Sequence, residues 1–149
     1  MLDQRGVIYR IPCKYPSCRY SYVGQTQNKL KTRLSGHQSN INKLEVFVDA
    51  GLTKTDTEMI DLAKKTALLE HCITHNHRFD LQATVVLDRS YKASTLDFLE
   101  MCHITNTPHV VNKRTDTDDL NSSYAGVLHT IRIKTQGNSN DYTELPNPQ

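Results

Sequence analysis

The chain has 149 residues, which is the usual length of a single domain. Its 37% hydrophobic and 23% charged residues are typical of a globular protein, and a mean hydropathy of -0.57 without an apolar run of about 20 residues excludes a membrane-spanning helix. The formal net charge of +2 is too small to indicate nucleic-acid binding on its own.

The first five residues, MLDQR, lack the apolar core of a secretory signal. The four cysteines are therefore interpreted as reduced thiols or metal ligands. We expect a reducing compartment, either nuclear or cytoplasmic.

Two short strands are predicted near the N-terminus. Gly6 to Pro12 alternates with a period of two, and the proline closes the strand. Cys13 to Arg19 contains Pro16 and Ser17 and is typical of a turn, after which Tyr20 to Gly24 returns as a second strand. The sequence therefore predicts an antiparallel hairpin.

A helix is predicted from Gln27 to about Ile41, with Thr26 as its N-cap. Its apolar stripe consists of Leu30, Leu34 and Ile41. An adjacent cationic stripe, at spacings of four residues, consists of Lys29, Arg33 and His37.

The rest of the chain is predicted to alternate loops, helices and one strand. In chain order, these are a loop at Glu45–Lys54, a helix from Thr55 or Asp56 to about Thr74, a strand at Leu81–Asp88, a helix at Ala93–Ile104, a short extended segment at His109–Asn112 and a last helix at Asp118–Leu128. We expect one α/β (α+β) domain over residues 1–134, with a small three-stranded antiparallel sheet flanked by helices. Residues 135–149 have little to bury and are expected to be disordered.

Two aromatic triplets lie on the predicted hairpin, Val7-Ile8-Tyr9 and Tyr22-Val23-Gly24, and Arg33 and His37 follow on the next helix. This arrangement resembles the GIY-YIG endonuclease family. The two cysteines between the triplets and a later histidine pair resemble the members carried by Penelope-like retroelements. The first triplet departs from the family pattern, since Val7 stands where the family has glycine and Gly6 lies one place early; Val23 replaces isoleucine in the second.

The resemblance implies a role for each residue of the hairpin and helix. Tyr9 would lie beside the nucleophilic water, and Tyr22 would orient the water or the phosphate. Because a tyrosine with a pKa near 10 is a poor base, Tyr9 would need a neighbouring cation or a metal-activated water. Gly24 would permit close backbone approach. Arg33 would hold the scissile phosphate, and His37 would share proton transfer with Tyr9 or bind phosphate.

The family also implies a catalytic metal. Glu100 interrupts an apolar helix, where a carboxylate is costly unless a cation pairs with it, and it matches the family's glutamate that binds one Mg²⁺ or Mn²⁺ ion. Asp97 is the alternative. An asparagine that follows this helix in the family matches Asn112 best, with Asn121 as the weaker match.

A second metal site is predicted from cysteine and histidine spacing. Cys13 and Cys18 are spaced C-x4-C, and His71 and His77 are spaced H-x5-H, which together make a Cys2His2 set for zinc. His75 in place of His77 gives an x3 alternative, but the resemblance favours His77. Unpaired surface thiols, or a disulfide between the two cysteines, are the plain alternatives. The remaining cysteines, Cys72 and Cys102, are expected to be small core residues.

These expectations lead to a hypothesis about function. The chain is expected to be a metal-dependent DNA endonuclease that nicks one strand, using Gly24, Lys29, Lys31 and Arg33 to contact DNA. By resemblance to retroelement domains, the nick would supply a 3′ hydroxyl for target-primed reverse transcription by an upstream reverse transcriptase domain of a longer polyprotein. A double-strand break would require a dimer or two successive events. The alternatives are a non-catalytic zinc-stabilised nucleic-acid-binding module and a cellular structure-specific repair nuclease.

Overall fold

The computed structural model describes residues 1–112, in which three strands and four α-helices follow one another. They are β1 (Val7–Pro12), β2 (Ser21–Thr26), α1 (Leu30–Asp49), α2 (Thr57–Ala63), α3 (Ala67–His75), β3 (Val85–Arg89) and α4 (Ala93–Asn106). The predicted last helix at Asp118–Leu128, the boundary near residue 134 and the predicted tail lie outside the described residues.

The three strands form one antiparallel sheet in the order β2-β1-β3, so β1 is the central strand. In the pairing of β1 with β2, Tyr9 lies opposite Gly24 and Ile11 lies opposite Tyr22. The predicted hairpin and the predicted mixed α/β class with a three-stranded antiparallel sheet are therefore confirmed.

The two faces of the sheet carry separate cores. Because side chains alternate across a strand, Val7, Tyr9 and Ile11 point to one face, where they join a cluster that also takes in residues of α1, α2 and α3. Ile8 and Val23 point to the other face and pack with residues of α4. The two tyrosines of the triplets thus face α1.

Helix α1 begins at Leu30, three residues after the predicted start. Thr26 is the last residue of β2 rather than the N-cap, and its hydroxyl accepts a hydrogen bond from the amide of Asn28. The first amides of the helix instead donate to the carbonyls of Gln4 and Leu2. The N-terminal segment therefore satisfies donors that a capping side chain would otherwise serve.

The same helix continues to Asp49, so the predicted loop at Glu45–Lys54 is wrong over its first half. Leu44 is 1% exposed and extends the buried stripe by one more turn. The helix ends where Gly51 adopts a φ of +83°, because amides there fold back onto carbonyls of the last turn.

The predicted helix from residue 55 or 56 to about Thr74 is divided into α2 and α3. The hydroxyl of Thr66 accepts a hydrogen bond from the amide of Leu69, 3.1 Å away, which makes Thr66 the N-cap of a new helix. Asp56, one of the two predicted caps, occupies the N-cap position of α2.

The predicted strand at Leu81–Asp88 begins instead with a short 3-10 turn, Leu81–Ala83, and the strand β3 starts after it. The hydroxyl of Thr84 donates to the carbonyl of Leu81 over 2.6 Å and holds this turn. Helix α4 begins at the predicted Ala93 and runs two residues past its predicted end. None of the helices within residues 1–112 combines the length and apolar character that a membrane span requires.

The outer edge of β2 is covered by the extended segment that follows α4. The amide of Ser21 donates to the carbonyl of His109, and the amide of Val111 donates to the carbonyl of Ser21. The predicted extended segment at His109–Asn112 is thus confirmed at Val110 but not at His109, which lies in a turn with a left-handed φ of 55°. The contact satisfies backbone groups that an edge strand would otherwise leave open.

Candidate active site and metal centre

Tyr9 and Tyr22 lie side by side on the sheet face that meets α1. Tyr9 is fully buried, Tyr22 is 8% exposed, and their ring centroids are 6.4 Å apart. Gly24 makes room for them: a Cβ there would lie 2.5 Å from the Tyr9 oxygen and 2.9 Å from a ring carbon of Tyr22. The glycine of the second triplet is therefore required by the phenols themselves, because any side chain would occupy their space.

Helix α1 delivers Arg33 and His37 to the same place, one helical turn apart. Nε of Arg33 donates to the Tyr9 oxygen over 3.3 Å, and Nε2 of His37 lies 2.8 Å from that oxygen. Because Arg33 can only donate, the hydroxyl proton of Tyr9 remains available for Nε2 of His37. The four side chains that the resemblance places in one site are thus brought together.

Burial raises the pKa of Tyr9 well above its ordinary value, and the neighbouring Tyr22 adds to this rise. Arg33 acts in the opposite direction but does not outweigh burial. A role for Tyr9 as a base was expected to need either a neighbouring cation that lowers its pKa or a metal-activated water. The cation is present, but the phenol nevertheless remains neutral at neutral pH.

His37 is only 2% exposed, so its place on a surface cationic stripe is a wrong prediction. It belongs to the buried stripe, seven residues after Leu30 and four before Ile41. Burial, with the charge of Arg33, lowers the pKa of His37 to about 4. The imidazole is therefore neutral at neutral pH and can accept the Tyr9 proton. The predicted contact of His37 with phosphate stays a prediction.

Glu100 lies on α4, which packs on the sheet face opposite to that of Tyr9. Burial is the main cause of the raised pKa of Tyr9, but the negative charge of Glu100 also contributes, so the partly buried carboxylate lies within electrostatic reach of the phenol. Asp97 is exposed and accepts a hydrogen bond of 2.6 Å from Nε2 of Gln25. Binding of a catalytic metal by Glu100 stays a prediction.

The two lysines predicted to contact DNA stand at the start of α1. Nζ of Lys31 lies 2.8 Å from a carboxylate oxygen of Asp3, and Nζ of Lys29 lies 3.9 Å from the same oxygen. All three side chains are exposed, so solvent screens the pairs. A polyanion that displaces the carboxylate of Asp3 could therefore bind both lysines.

Asn112 is fastened to the edge of β2 by its side chain. Its Oδ1 accepts from the amide of Val23 over 2.9 Å, and its Nδ2 donates to the carbonyl of the same residue over 2.8 Å. Both halves of the amide are thus used to extend the sheet next to Gly24. Asn112 accordingly positions the strand, and its predicted catalytic role stays a prediction; Asn121 lies outside the described residues.

The predicted zinc ligands converge on one point. The ligand atoms of Cys13, Cys18, His71 and His77 all lie within 4.8 Å of one another. The Sγ of Cys13 is 3.6 Å from Nδ1 of His77, the Sγ of Cys18 is 3.6 Å from Nε2 of His71, and the two nitrogens are 3.2 Å apart.

These separations match a tetrahedral zinc site. Zn–S bonds of about 2.3 Å and Zn–N bonds of about 2.0–2.1 Å at tetrahedral angles give S to N distances of about 3.6 Å and N to N distances of about 3.3 Å. The four residues could therefore hold a metal ion, in a manner consistent with structural zinc. All four positions are filled by protein ligands, which is typical of a structural site rather than a catalytic one.

The turn after α3 determines which two histidines lie next to Cys13 and Cys18. Asn76 adopts a left-handed conformation with a φ of 54°, which reverses the chain and brings His77 back to His71. His75 is exposed and lies outside the four-ligand group, so His77 is the better of the two alternatives. The cysteines are free thiols, which excludes the disulfide alternative in this structure.

Several features of this centre were missed by sequence reasoning. Arg78 forms an ion pair with Glu45 of α1, and its Nη1 donates to the carbonyl of His77 over 2.7 Å. The ring of Tyr15 stacks on His77 at 4.1 Å with an interplanar angle of 10°. Only the aromatic content of the turn between Cys13 and Cys18 could have suggested the stacking; nothing in the sequence pairs residues 45 and 78.

The two remaining cysteines differ from each other. Cys72 is 1% exposed, lies in the core cluster and has a pKa raised to about 12 by burial, so its predicted core role is confirmed. Cys102 is only partly buried, so it is not a full core residue.

Comparison of the chain with family models, with curated proteins and with solved structures finds no match. The functional argument therefore depends on the two side-chain clusters themselves.

Proposed function

We propose that this chain is a metal-dependent DNA endonuclease of the GIY-YIG kind. The observation that carries the proposal is the gathering of Tyr9, Tyr22, Arg33 and His37 around Gly24. The Tyr9 hydroxyl and the neutral His37 imidazole form a path for a proton, beside the second phenol. The Arg33 guanidinium next to them can bind an anion. Phosphodiester hydrolysis needs both parts.

In the proposed reaction, the attacking water gives a proton to the Tyr9 oxygen while the hydroxyl proton of Tyr9 passes to Nε2 of His37. The new bond to phosphorus forms as the bond to the 3′ oxygen breaks, and that oxygen takes a proton from solvent. A phosphate anion bound nearby would raise the pKa of His37, since an opposite charge favours the imidazolium. The raised pKa of Tyr9 is compatible with this path because the phenol never needs to persist as a phenolate.

Arg33 is the group that would bind the scissile phosphate. Its Nε donates to the Tyr9 oxygen and Tyr22 is a second hydrogen-bond partner of the guanidinium, whose planar, permanently charged fork has further N–H donors for phosphate oxygens. Glu100 would hold Mg²⁺ or Mn²⁺, because a carboxylate with open water positions suits these ions. When bound, the metal would offset charge on the phosphate and on the leaving oxygen.

The wider biological setting belongs to the same proposal. A single active site nicks one strand, and the resulting 3′ hydroxyl would prime reverse transcription in a Penelope-like retroelement, with the reverse transcriptase upstream in a longer polyprotein. Such a protein acts in the nucleus. The Cys2His2 cluster supports this narrower assignment, since a metal ion held there would join the turn between the two triplets to α3 and to His77 after it.

The test is nicking of supercoiled plasmid by the purified chain in Mg²⁺ or Mn²⁺. Arg33→Ala and Glu100→Gln should each lower the rate by about 100-fold or more, the loss typical of removing one group that stabilises the transition state. Arg89→Ala and Glu58→Gln, at exposed positions on β3 and α2, are the matched controls and should cut like the wild type.

The outcomes separate the proposal from its rivals. Equal cleavage by the wild type and Arg33→Ala would remove the phosphate-binding role of this cluster. DNA binding without cleavage in either metal would favour the non-catalytic nucleic-acid-binding module. A strong preference for branched or flapped duplexes over linear DNA would favour the repair nuclease.

A further inference from the structure

An open groove lies on the outer side of the candidate zinc centre. It has a volume of about 470 Å³ and is lined by six rings, those of Tyr15, Tyr20, His71, His75, His77 and His109. Cys18, His71 and His77 belong both to this lining and to the candidate zinc centre. A second cavity of about 300 Å³ shares Tyr20, His71 and His75 with the first. The two together form a continuous ring-lined surface.

Two tyrosines present open faces in this groove. Tyr15 is 49% exposed and lines the groove, and the ring of His77 stacks on its ring. Tyr20 is 44% exposed and meets the ring of His109 edge-on at 5.7 Å. Exposed tyrosines held in fixed orientation by neighbouring rings are suited to stacking against a flat ligand.

The charge around the groove favours an anionic ligand. Arg19 is exposed and lines the groove, and in the sequence it lies between Tyr15 and Tyr20. Among the described residues that line the larger cavity none is acidic, and Glu70 lies only in the smaller one. Open aromatic faces beside a fixed cation are the features with which proteins bind unpaired nucleotides, because bases stack on the rings and cations neutralise phosphates.

The groove adjoins the candidate active site. Tyr20 and Tyr22 are two residues apart and point to the same side of the hairpin, which separates them by about 7 Å along the chain. The amide of Cys13 donates to the carbonyl of Tyr20, so the strand pairing extends this far. A nucleotide in the groove would therefore lie next to a phosphate held by the Tyr9, Tyr22 and Arg33 cluster.

We propose that this groove binds unpaired bases of single-stranded DNA, which stack on Tyr15 and Tyr20 beside Arg19. This rests on the proposed function, because it names the form of DNA that the endonuclease takes: duplex with unpaired nucleotides next to the cleaved bond. The stacking surface itself does not require cleavage, so binding and cutting can be tested separately.

The first test is binding of a fluorescent single strand of about 10 nucleotides, in buffer without Mg²⁺ or Mn²⁺ and without a chelator. The wild type should bind it more tightly than the same sequence as a duplex. Tyr15→Leu and Tyr20→Leu should each weaken single-strand binding by about 5- to 100-fold, the loss typical of removing one stacking ring. Tyr20→Phe keeps the ring and should retain binding, and Tyr91→Leu, at a 94% exposed site after β3 that does not line the groove, should not change it.

The second test needs no variant. A bromodeoxyuridine-substituted single strand is photo-crosslinked to the wild type and the attachment site is mapped by mass spectrometry, with zinc content measured on the same sample. Crosslinks at Tyr15 or Tyr20 are expected. Crosslinks confined to residues outside the groove, or leucine variants that retain zinc and bind like Tyr91→Leu, would overturn the proposal. Absence of cleavage with intact stacking would refute the nuclease alone.

Discussion

Replacing Gly24 with alanine is expected to damage both stability and the proposed proton path. The new Cβ would lie 2.5 Å from the Tyr9 oxygen and 2.6 Å from the ring carbon that bears it, where ordinary contacts need about 3.5 Å or more. Tyr9 would have to move by about 1 Å. It cannot do so freely, because its ring is fully buried and its oxygen is bound to His37 and Arg33.

The expected loss of stability in Gly24→Ala follows from this forced shift of Tyr9. Overpacking of a buried site costs about 1–3 kcal/mol, and each strained or broken hydrogen bond adds about 0.5–1.5 kcal/mol. Gly36→Ala is the matched control, since Gly36 lies on an exposed turn of α1 with nothing within 4 Å of its added Cβ. Alanine there should stabilise the helix by about 0.5–1 kcal/mol.

The assay is chemical unfolding followed by far-UV circular dichroism, with zinc at one fixed concentration for all proteins. The two alanine variants should shift the unfolding midpoint in opposite directions, and only Gly24→Ala should impair plasmid nicking. A Gly24→Ala protein as stable as Gly36→Ala would refute the close packing of the phenols against β2.

Three further predictions concern the other parts of the site. The pKa of His37 is about 4 in the folded chain and about 6.5 in the unfolded chain. Between these values the unfolded chain binds more protons, so the free energy of unfolding falls as the pH falls. The loss of this free energy from pH 7 to pH 5 should be about 2 kcal/mol greater in the wild type than in His37→Gln. Elemental analysis should find one zinc per chain in the wild type and none in Cys18→Ser, because the variant lacks one of the four candidate ligands. The free energy of unfolding should then lose the about 4 kcal/mol that zinc at 1,000 times its Kd contributes. Asn112→Ala should lose both bonds to Val23 and about 1–3 kcal/mol in chemical unfolding, and Asn112→Asp should lose at least as much at neutral pH, because a carboxylate oxygen would replace the donor Nδ2 that faces the Val23 carbonyl.

The parts of the fold with strong local signals were predictable. The period-two pattern and closing proline located β1, and the triplet spacing placed Tyr9 and Tyr22 on neighbouring strands. The spacing of four residues placed Arg33 and His37 on one side of a helix, and both meet the Tyr9 oxygen.

The errors occurred where tertiary contacts decide the structure. The end of α1 was set too early because Leu44 belongs to a core cluster that includes residues of α2 and α3, and the local sequence does not show this burial. The burial of His37 could not be read from its neighbours in sequence, since a histidine on a basic helix is ordinarily solvated. The break at Thr66 depends on a capping bond that competes with helix continuation.

The metal centre was predictable in composition but not in its choice of ligand. Spacing allowed either His75 or His77 to join Cys13 and Cys18. The left-handed conformation of Asn76 turns the chain so that His77 is the one that returns. The backbone conformation after α3 therefore determines which histidine is the ligand, and asparagine in the sequence only weakly indicates a left-handed conformation.

The most direct test of the central claim is the nicking rate of Tyr9→Phe, which removes a single oxygen from a buried ring. Tyr91→Phe, at the exposed tyrosine, is its control. Loss of the proton path should lower the rate by about 100-fold or more while DNA binding is unchanged. A Tyr9→Phe protein that nicks plasmid at the wild-type rate would contradict the assignment of this cluster as a nuclease active site.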